Sequence, residues 1–397
     1  MAKRGNGEGS IRQRKNGLWE GQYVTGRDEH GKLQKKSVYG KTKKEVVEKL
    51  AAITNDIRTG LFLPPEKITV SEWSEVWTKD YLVDVTDSTV NQYKYQFRVH
   101  IIPELGSVKL QKLTGAMVQS FYQKAQTPHN IKVENKTIKS RGLSPKSLKN
   151  LHGVLHSCLD QAIKVGYIKF NPCDACVLPK VVKKEMNTIT DINQFFDIIS
   201  GEEFENVYIF AVFTGMRQSE IIGLTWDCVD FENRIIKVDK QFRKDHGQAG
   251  EEYKFTATKN GKQRIISPAQ FVFDALKKEK AKQAKNKLKH GEGFSNKNNL
   301  VFTNETGGHL CGGTIYDHWK ALLKVHGIEK NIRFHDLRHS FATISLENGE
   351  DIKTVSENLG HATVAFTMDT YAHVTDAMKK RSGDRMQEYI ERARRHG

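Results

Sequence analysis

The sequence contains no apolar run long enough to cross a bilayer: the longest, VYIFAVF at 207–213, is far short of the roughly 18 residues a spanning helix needs. Cysteine is scarce and odd in number, five over 397 residues, which fits thiols kept reduced rather than a disulfide framework. Cys173 and Cys176 form one C-x-x-C beside Pro172, and with no second pair a zinc or redox site is not expected there. The opening MAKRGNGEGS is charged and lacks an apolar segment, so the expectation is no secretory signal and a cytoplasmic protein. Acidic residues are the remaining shortage. Forty-seven Asp and Glu face 63 Lys and Arg, a net charge of +16, which points to a polyanionic partner, most simply nucleic acid.

That charge is uneven. Residues 1–44 hold eight Lys and four Arg against one Asp and three Glu, a net +8 and half the whole excess. The same stretch alternates as strands do: GSIRQR and LWEGQYVTG flank an Asn-Gly turn, and KLQKKSVYG follows DEHG. TKKE at 42–45 reads as a capping box, and Val46, Leu50, Ile53 and Ile57 then recur at helical spacing up to Gly60. Residues 1–62 are therefore expected to form a small three-stranded β-sheet backed by one helix. Its open face would carry Arg12, Arg14, Lys35 and Lys36, and a sheet of that width fits a DNA major groove.

LFLPPEK at 61–67 breaks the pattern and reads as a linker. Residues 67–180 show only helical periodicity, over 70–82, 88–102 (ended by PELG), 114–125 and 144–165, so an all-α bundle is expected. Residues 127–143 read as a polar loop whose Lys136, Lys139 and Arg141 could touch phosphates. From 182 to 397 the pattern is α+β: strand-like pieces at 234–238, 253–258 and 263–267 lie among helices, the last two separated by KNGK.

Chemistry concentrates in this third part. In FHDLRHSFATISL, Phe334, Leu337, Phe341 and Ile344 form a core stripe, and His335 and Arg338 are neighbours on its flank. A guanidinium at a core border is costly unless an anion meets it. One reading pairs Arg338 with an internal carboxylate such as Glu220. A second takes HDLRH at 335–339 as a metal site, but Asp336 stands where the catalytic Glu of H-E-x-x-H belongs and Arg338 would face the dication. The third is a phosphate clamp. FTGMRQSEIIGLTW at 213–226 adds Arg217 at a helix start, where main-chain amides favour an anion, and LGHATVAFTMDTYAHV at 359–374 adds His361 and Tyr371.

TGMRQSE, HDLRHSFAT and LGHATVAFTMDTYAHV, in that order and spacing, resemble the tyrosine recombinases, most closely the integrases of conjugative transposons and lambda-type phages. The resemblance spans essentially the whole chain. It implies an arm-site binding domain, a helical core-site binding domain and a catalytic domain. By motif, Arg217 looks like the first catalytic arginine, His335 and Arg338 the H-x-x-R pair, His361 the histidine of L-G-H, and Tyr371 the nucleophile, with Glu220 orienting the clamp. The family's lysine lies in a β-hairpin, and in TKNGKQRIIS it matches Lys259, with Lys262 as the fallback.

The implied reaction is attack of Tyr371 on a DNA phosphodiester, surrounding cations favouring its phenolate and Lys259 protonating the leaving 5′ oxygen. Neither metal nor cofactor is expected. The implied partners are duplex DNA at core and arm sites, a homotetramer on that DNA and an excisionase or DNA-bending protein, with no membrane and a bacterial, nucleoid-associated location. Met386, Tyr389, Ile390 and Ala393 form a C-terminal apolar stripe that docks either in cis or on a neighbour. A type IB topoisomerase-like enzyme and a non-catalytic DNA-binding regulator are the alternatives.

Overall fold

The computed structural model describes residues 10–27, 32–58, 67–133, 136–182, 186–244, 253–258, 261–328 and 330–395. It divides into two compact units, Met1–Val182 and Lys183–Gly397.

In the first unit, β1 (Ser10–Gln13), β2 (Trp19–Arg27) and β3 (Leu33–Gly40) form an antiparallel sheet in that order, followed by α1 (Lys43–Arg58). Tyr23 on β2 is buried with Val46 and Leu50 of α1, and Ile11, Trp19 and Val38 pack around them. The register pairs Arg12 with Glu20 and Tyr23 with Lys36, so Lys36 belongs to the helix-packed side and not to the face that carries Arg12 and Lys35. Adjacent strand residues point to opposite faces, so Lys35 and Lys36 never shared one. Arg12 and Arg14 are also engaged: both hydrogen-bond Glu20, which the Arg14 and then the Arg12 guanidinium hold down at about 2.

A helical core follows, built from α2 (Val70–Asp80), α3 (Asp87–Gln96), α4 (Ile102–Leu105), α5 (Gly115–Gln126) and α6 (Pro145–Lys164) around Trp73, Trp77, Tyr122 and Leu155. Thr69 and Glu72 close a capping box on α2, and Ser144 caps α6 ahead of Pro145 at its first turn. The helix expected to stop at PELG runs on to Leu105. Pro103 has no N–H for the residue 99 carbonyl, and the chain accommodates it with a π turn over Phe97–Ile101, where the Ile102 N–H reaches back to the Phe97 carbonyl.

Residues 67–180 are not all-α. Residues expected as a loop form the hairpin β4 (His129–Val133) and β5 (Lys136–Ser140). Among the described side chains its one buried anchor is Ile131, too little to make the alternation visible in sequence. By register, Lys139 shares a face with Asn130 and Lys132, whereas Lys136 lies on the opposite one; Arg141 follows, exposed.

The second unit has its own core, in which Phe195, Tyr208, Phe210, Ile236, Phe273, Phe302 and Trp319 are buried together. Its helices are α7 (Ile192–Ile199), α8 (Glu205–Thr214), α9 (Gln218–Ile221), α10 (Gln270–His290), α11 (Gly312–Val325), α12 (Asp336–Glu347), α13 (Ile352–Leu359), α14 (Val364–Thr370) and α15 (Ala372–Arg395). The strands are β6 (Val229–Asp230), β7 (Ile235–Val238), β8 (Lys240–Lys244), β9 (Tyr253–Ala257) and β10 (Arg264–Ile266).

The pieces at 253–258 and 263–267 do not pair with each other as the KNGK turn suggested. β9 pairs with β8 and β10 with β7, both antiparallel. Lys240 opposes Ala257 and Val238 opposes Arg264, and the described residues between them, 258 and 261–263, form an excursion from the ladder opposite Asp239. The excursion is tied by Gly261 N–H to Thr258 O (2.8 Å) and by Thr258 Oγ1 to Lys262 O (2.7 Å). Along α15, Met386, Tyr389 and Ile390 are exposed, so among the described residues the stripe is not packed in cis.

Candidate active site

Two helix ends build the site. The ENVYIFAVFT helix α8 is apolar nearly all round and therefore buried, and α13 is a short amphipathic helix; each stops at a left-handed glycine, Gly215 (φ +63°) and Gly360 (φ +64°). The carbonyls left over at these ends carry the negative pole of each helix. Guanidinium groups fill them: Arg338 donates from Nη1 to Gly215 O (2.6 Å) and from Nη2 to Leu359 O (2.5 Å), while Arg217 Nη2 donates to Gly360 O (3.1 Å).

One buried carboxylate shares the same space. Glu220 accepts from Arg217 Nη1 (2.8 Å) and from the Arg217 main-chain N–H (3.0 Å). It also accepts a two-pronged contact from Arg264, Nη1 to Oε1 (3.1 Å) and Nη2 to Oε2 (2.6 Å), and Arg264 Nε donates to Asn358 O (2.8 Å). Burial alone would raise the Glu220 pKa, but Arg264 and then Arg217 outweigh it and hold it at about 2. Two expectations change here. Arg338 does not pair with Glu220, since main-chain oxygens hold it. The amide at the start of α9 is not open to an anion either, because Glu220 occupies it and the helix is only four residues long.

Three guanidinium groups and one carboxylate leave the site cationic, and the histidines respond. Partial burial and then Arg338 and Arg217 hold His361 down at about 3; its Nδ1 meets Thr367 Oγ1 at 2.7 Å. His335, at the N-terminal end of α12, is open to solvent on one edge, yet partial desolvation and then Arg338 keep its pKa below the usual value.

Tyr371 ends α14, 1% exposed, in a small core with Ala342, Leu346, Val355 and Leu359. Burial raises its pKa and the nearby Arg338 only partly opposes this, so in the free protein the cations do not generate a phenolate. Its hydroxyl lies 2.7 Å from His339 Nδ1. Burial, then His335, lowers the His339 pKa to about 4.

The structure thus gathers Arg217, His335, Arg338, His361 and Tyr371 into one electrostatic neighbourhood. Lys259 lies outside the described residues; Lys262 is exposed on the excursion whose other end enters β10 and Arg264. Arg264 and His339 were missed in sequence. Arg264 shares its strand face with buried Ile266, while Ile265 is 63% exposed, an inversion that the sequence Arg-Ile-Ile does not announce. His339 was visible only as half of a metal motif. In the fold Asp336 is occupied by Arg333 and His339 by Tyr371, and among the described residues no cluster of three ligand-type side chains could hold a metal ion.

Residues 185–378 match the Phage integrase family, and residues 69–126 match the Phage integrase N-terminal SAM-like domain. The chain is 29% identical over 373 residues to a tyrosine recombinase XerC-like protein of Caldanaerobacter subterraneus subsp. tengcongensis, covering 89% of this chain and 92% of that one. The fold is similar to that of the Tn1549 transposon integrase in complex with a circular intermediate DNA, with a TM-score of 0.64 at 20% identity over 79% of this chain and 99% of that one. It is also similar to a lambda integrase tetramer bound to a Holliday junction, with a TM-score of 0.53 at 16% identity over 93% and 97%.

Proposed function

Since this chain is a tyrosine recombinase, close to the integrases of conjugative transposons, we propose that the cluster around Tyr371 is its strand-cleaving centre. The enzyme cleaves and rejoins DNA in site-specific recombination; its relatives are recombinases, which favours strand exchange over a relaxing enzyme or a non-catalytic regulator. In our reading it integrates and excises a mobile element through a 3′-phosphotyrosine and a four-way junction.

One observation carries the assignment: the guanidiniums of Arg217, Arg264 and Arg338 gather near Tyr371 around one carboxylate, Glu220, which binds only the first two, so the site keeps an excess of positive charge that a phosphodiester would meet. Arg217 and Arg338 would grip the non-bridging oxygens, with His335 and His361 adding donors, and that charge is fixed in place before the pentavalent transition state forms. Entry of the phosphate neutralises part of the cationic field and so leaves Tyr371 protonated until attack, when its proton must be taken up. Lys259, the lysine that the resemblance matches, would protonate the leaving oxygen, since an ammonium gives up a proton and a guanidinium does not.

Residues 1–62 would bind arm sites through Arg12, Arg14 and Lys35, and residues 67–180 core sites through the hairpin's Lys136 and Lys139 and the adjacent Arg141. The lambda integrase tetramer on a Holliday junction supports a homotetramer on DNA, with the exposed stripe of α15 docking on a neighbouring copy. An excisionase or DNA-bending partner and a nucleoid location belong to the same proposal. Among the described residues no helix is long and apolar enough to cross a membrane.

The test is a nicked duplex from the element's end whose cleaved fragment diffuses away. The expected result is a covalent adduct mapping to Tyr371, lost in Tyr371→Phe with site binding retained; an adduct on another residue would refute the assignment.

A further inference from the structure

The reaction requires the Tyr371 proton to go somewhere, and the group in contact with it is a residue outside the family pattern read from the sequence. His339 Nδ1 lies 2.7 Å from the Tyr371 hydroxyl, with the ring centroids 5.9 Å apart. In the neutral tautomer that carries its hydrogen on Nε2, Nδ1 presents a lone pair to which the phenol O–H donates, and it is this tautomer that a base at this position requires. His335, the histidine of the H-x-x-R pair, has its ring 5.5 Å from that of His339 and nearly perpendicular to it. His361 is committed through Nδ1 to Thr367.

Resting on the assignment of Tyr371 as nucleophile, we propose that His339 is the general base of strand cleavage, taking the phenolic proton as the tyrosine attacks. The bond from Tyr371 Oη to phosphorus forms, the bond from phosphorus to the leaving ribose oxygen breaks, and that oxygen takes a proton from a separate acid. The Oη proton passes to His339 Nδ1, leaving an imidazolium beside the new phosphotyrosine. In rejoining, the incoming hydroxyl displaces Tyr371 and the imidazolium returns the proton to it, so the enzyme is restored with no net proton change at this pair. The charged and titratable groups that face His339 are His335, Asp336, Arg338 and Arg333 from its own helix region, Tyr371 from α14, and His361. Burial first, then His335 and the two arginines against an opposing Asp336, keep it neutral and receptive before substrate arrives. A phosphodiester anion in the Arg217–Arg338 clamp cancels part of that cationic field, which makes the ring a stronger base at the moment of attack.

The contact also admits a purely mechanical role, a latch on a buried side chain, and the experiment separates the two. His339→Asn places an amide oxygen near the Nδ1 position, keeping an acceptor for the phenol while removing its basicity. Single-turnover adduct formation by the full chain on the nicked duplex is expected to slow about 100-fold, with core-site binding unchanged. Placing 3-fluorotyrosine at 371, whose phenol is more acidic, is expected to recover most of that loss in the Asn variant and to change the parent little. An unchanged rate, a faster rate, or no recovery with fluorotyrosine overturns the base assignment.

A measurement on the unsubstituted protein guards against a variant that fails to fold. With a bridging 5′-phosphorothiolate duplex, whose sulfur leaves without a proton, a solvent deuterium isotope effect on cleavage must come from the Tyr371 proton; its absence also overturns the proposal. If Tyr371→Phe still forms the adduct, the nucleophile assignment itself fails, a result distinct from any of these.

Discussion

Glu220 binds two guanidinium groups with one carboxylate and has no exposed surface, so removing its charge strands both. Breaking a buried ion network by deleting one member costs about 3–5 kcal/mol, and Glu220→Gln is expected to lose that much in urea unfolding and to abolish adduct formation. Wild-type stability in the variant would show that the arginines do not depend on it. Acid acts on the same residues. His361 and His339 are held at about 3 and about 4, below the ordinary value near 6.5. Between those limits the unfolded chain binds more protons than the folded one, so their contribution to stability is present above about pH 6.5 and falls as the pH drops toward 3. Glu220, at about 2 against 4.5, adds a loss in the same direction at still lower pH. Phosphate in the clamp raises the histidine values, so DNA binding at pH 6 takes up protons, and calorimetry in two buffers of different ionisation enthalpy should show it. At this scale the motif residues were readable because each is a distinctive type at fixed spacing. Arg264 and His339 were not, since their partners, Glu220 and Tyr371, are brought to them only by tertiary structure.

Gly215 ends α8 at φ +63°, and a β-carbon there would collide with the Phe341 ring and press on Leu359. Gly215→Ala therefore combines backbone strain with a clash at a residue whose carbonyl holds Arg338, and a loss of about 2–3 kcal/mol is expected in denaturant titration, with cleavage falling further than binding. A neutral outcome would mean that the α8 end can relax without moving Arg338. Helices such as α6 and α12 were legible because local periodicity and caps define them. Strand pairing was not: the partner of β9 is β8, across the segment 245–252, and no local pattern distinguishes that from the nearer β10. The hairpin at 129–140 escaped for another reason, since among its described side chains only Ile131 is buried, which offers almost no alternation to read.

At the scale of the whole molecule, each unit encloses its own core, and basic residues on both are proposed to contact one DNA. If six to ten phosphates are engaged, affinity for the site falls roughly 10³- to 10⁵-fold between 50 and 200 mM salt; fluorescence anisotropy should show that slope equally in Tyr371→Phe, since the nucleophile adds no counterion release. A flat response would remove the polyelectrolyte reading of the +16 charge. The main-chain anchoring of Arg338 and Arg217 bears on how such an enzyme can diverge. The oxygens of Leu359 and Gly360 that grip them are main-chain atoms, so no neighbouring side chain has to be kept to supply them. A library that randomises the surrounding walls to retarget the enzyme could therefore explore widely without dislodging its most charged parts, and selection for new sites would be limited by the protein's reading surfaces before it was limited by its chemistry.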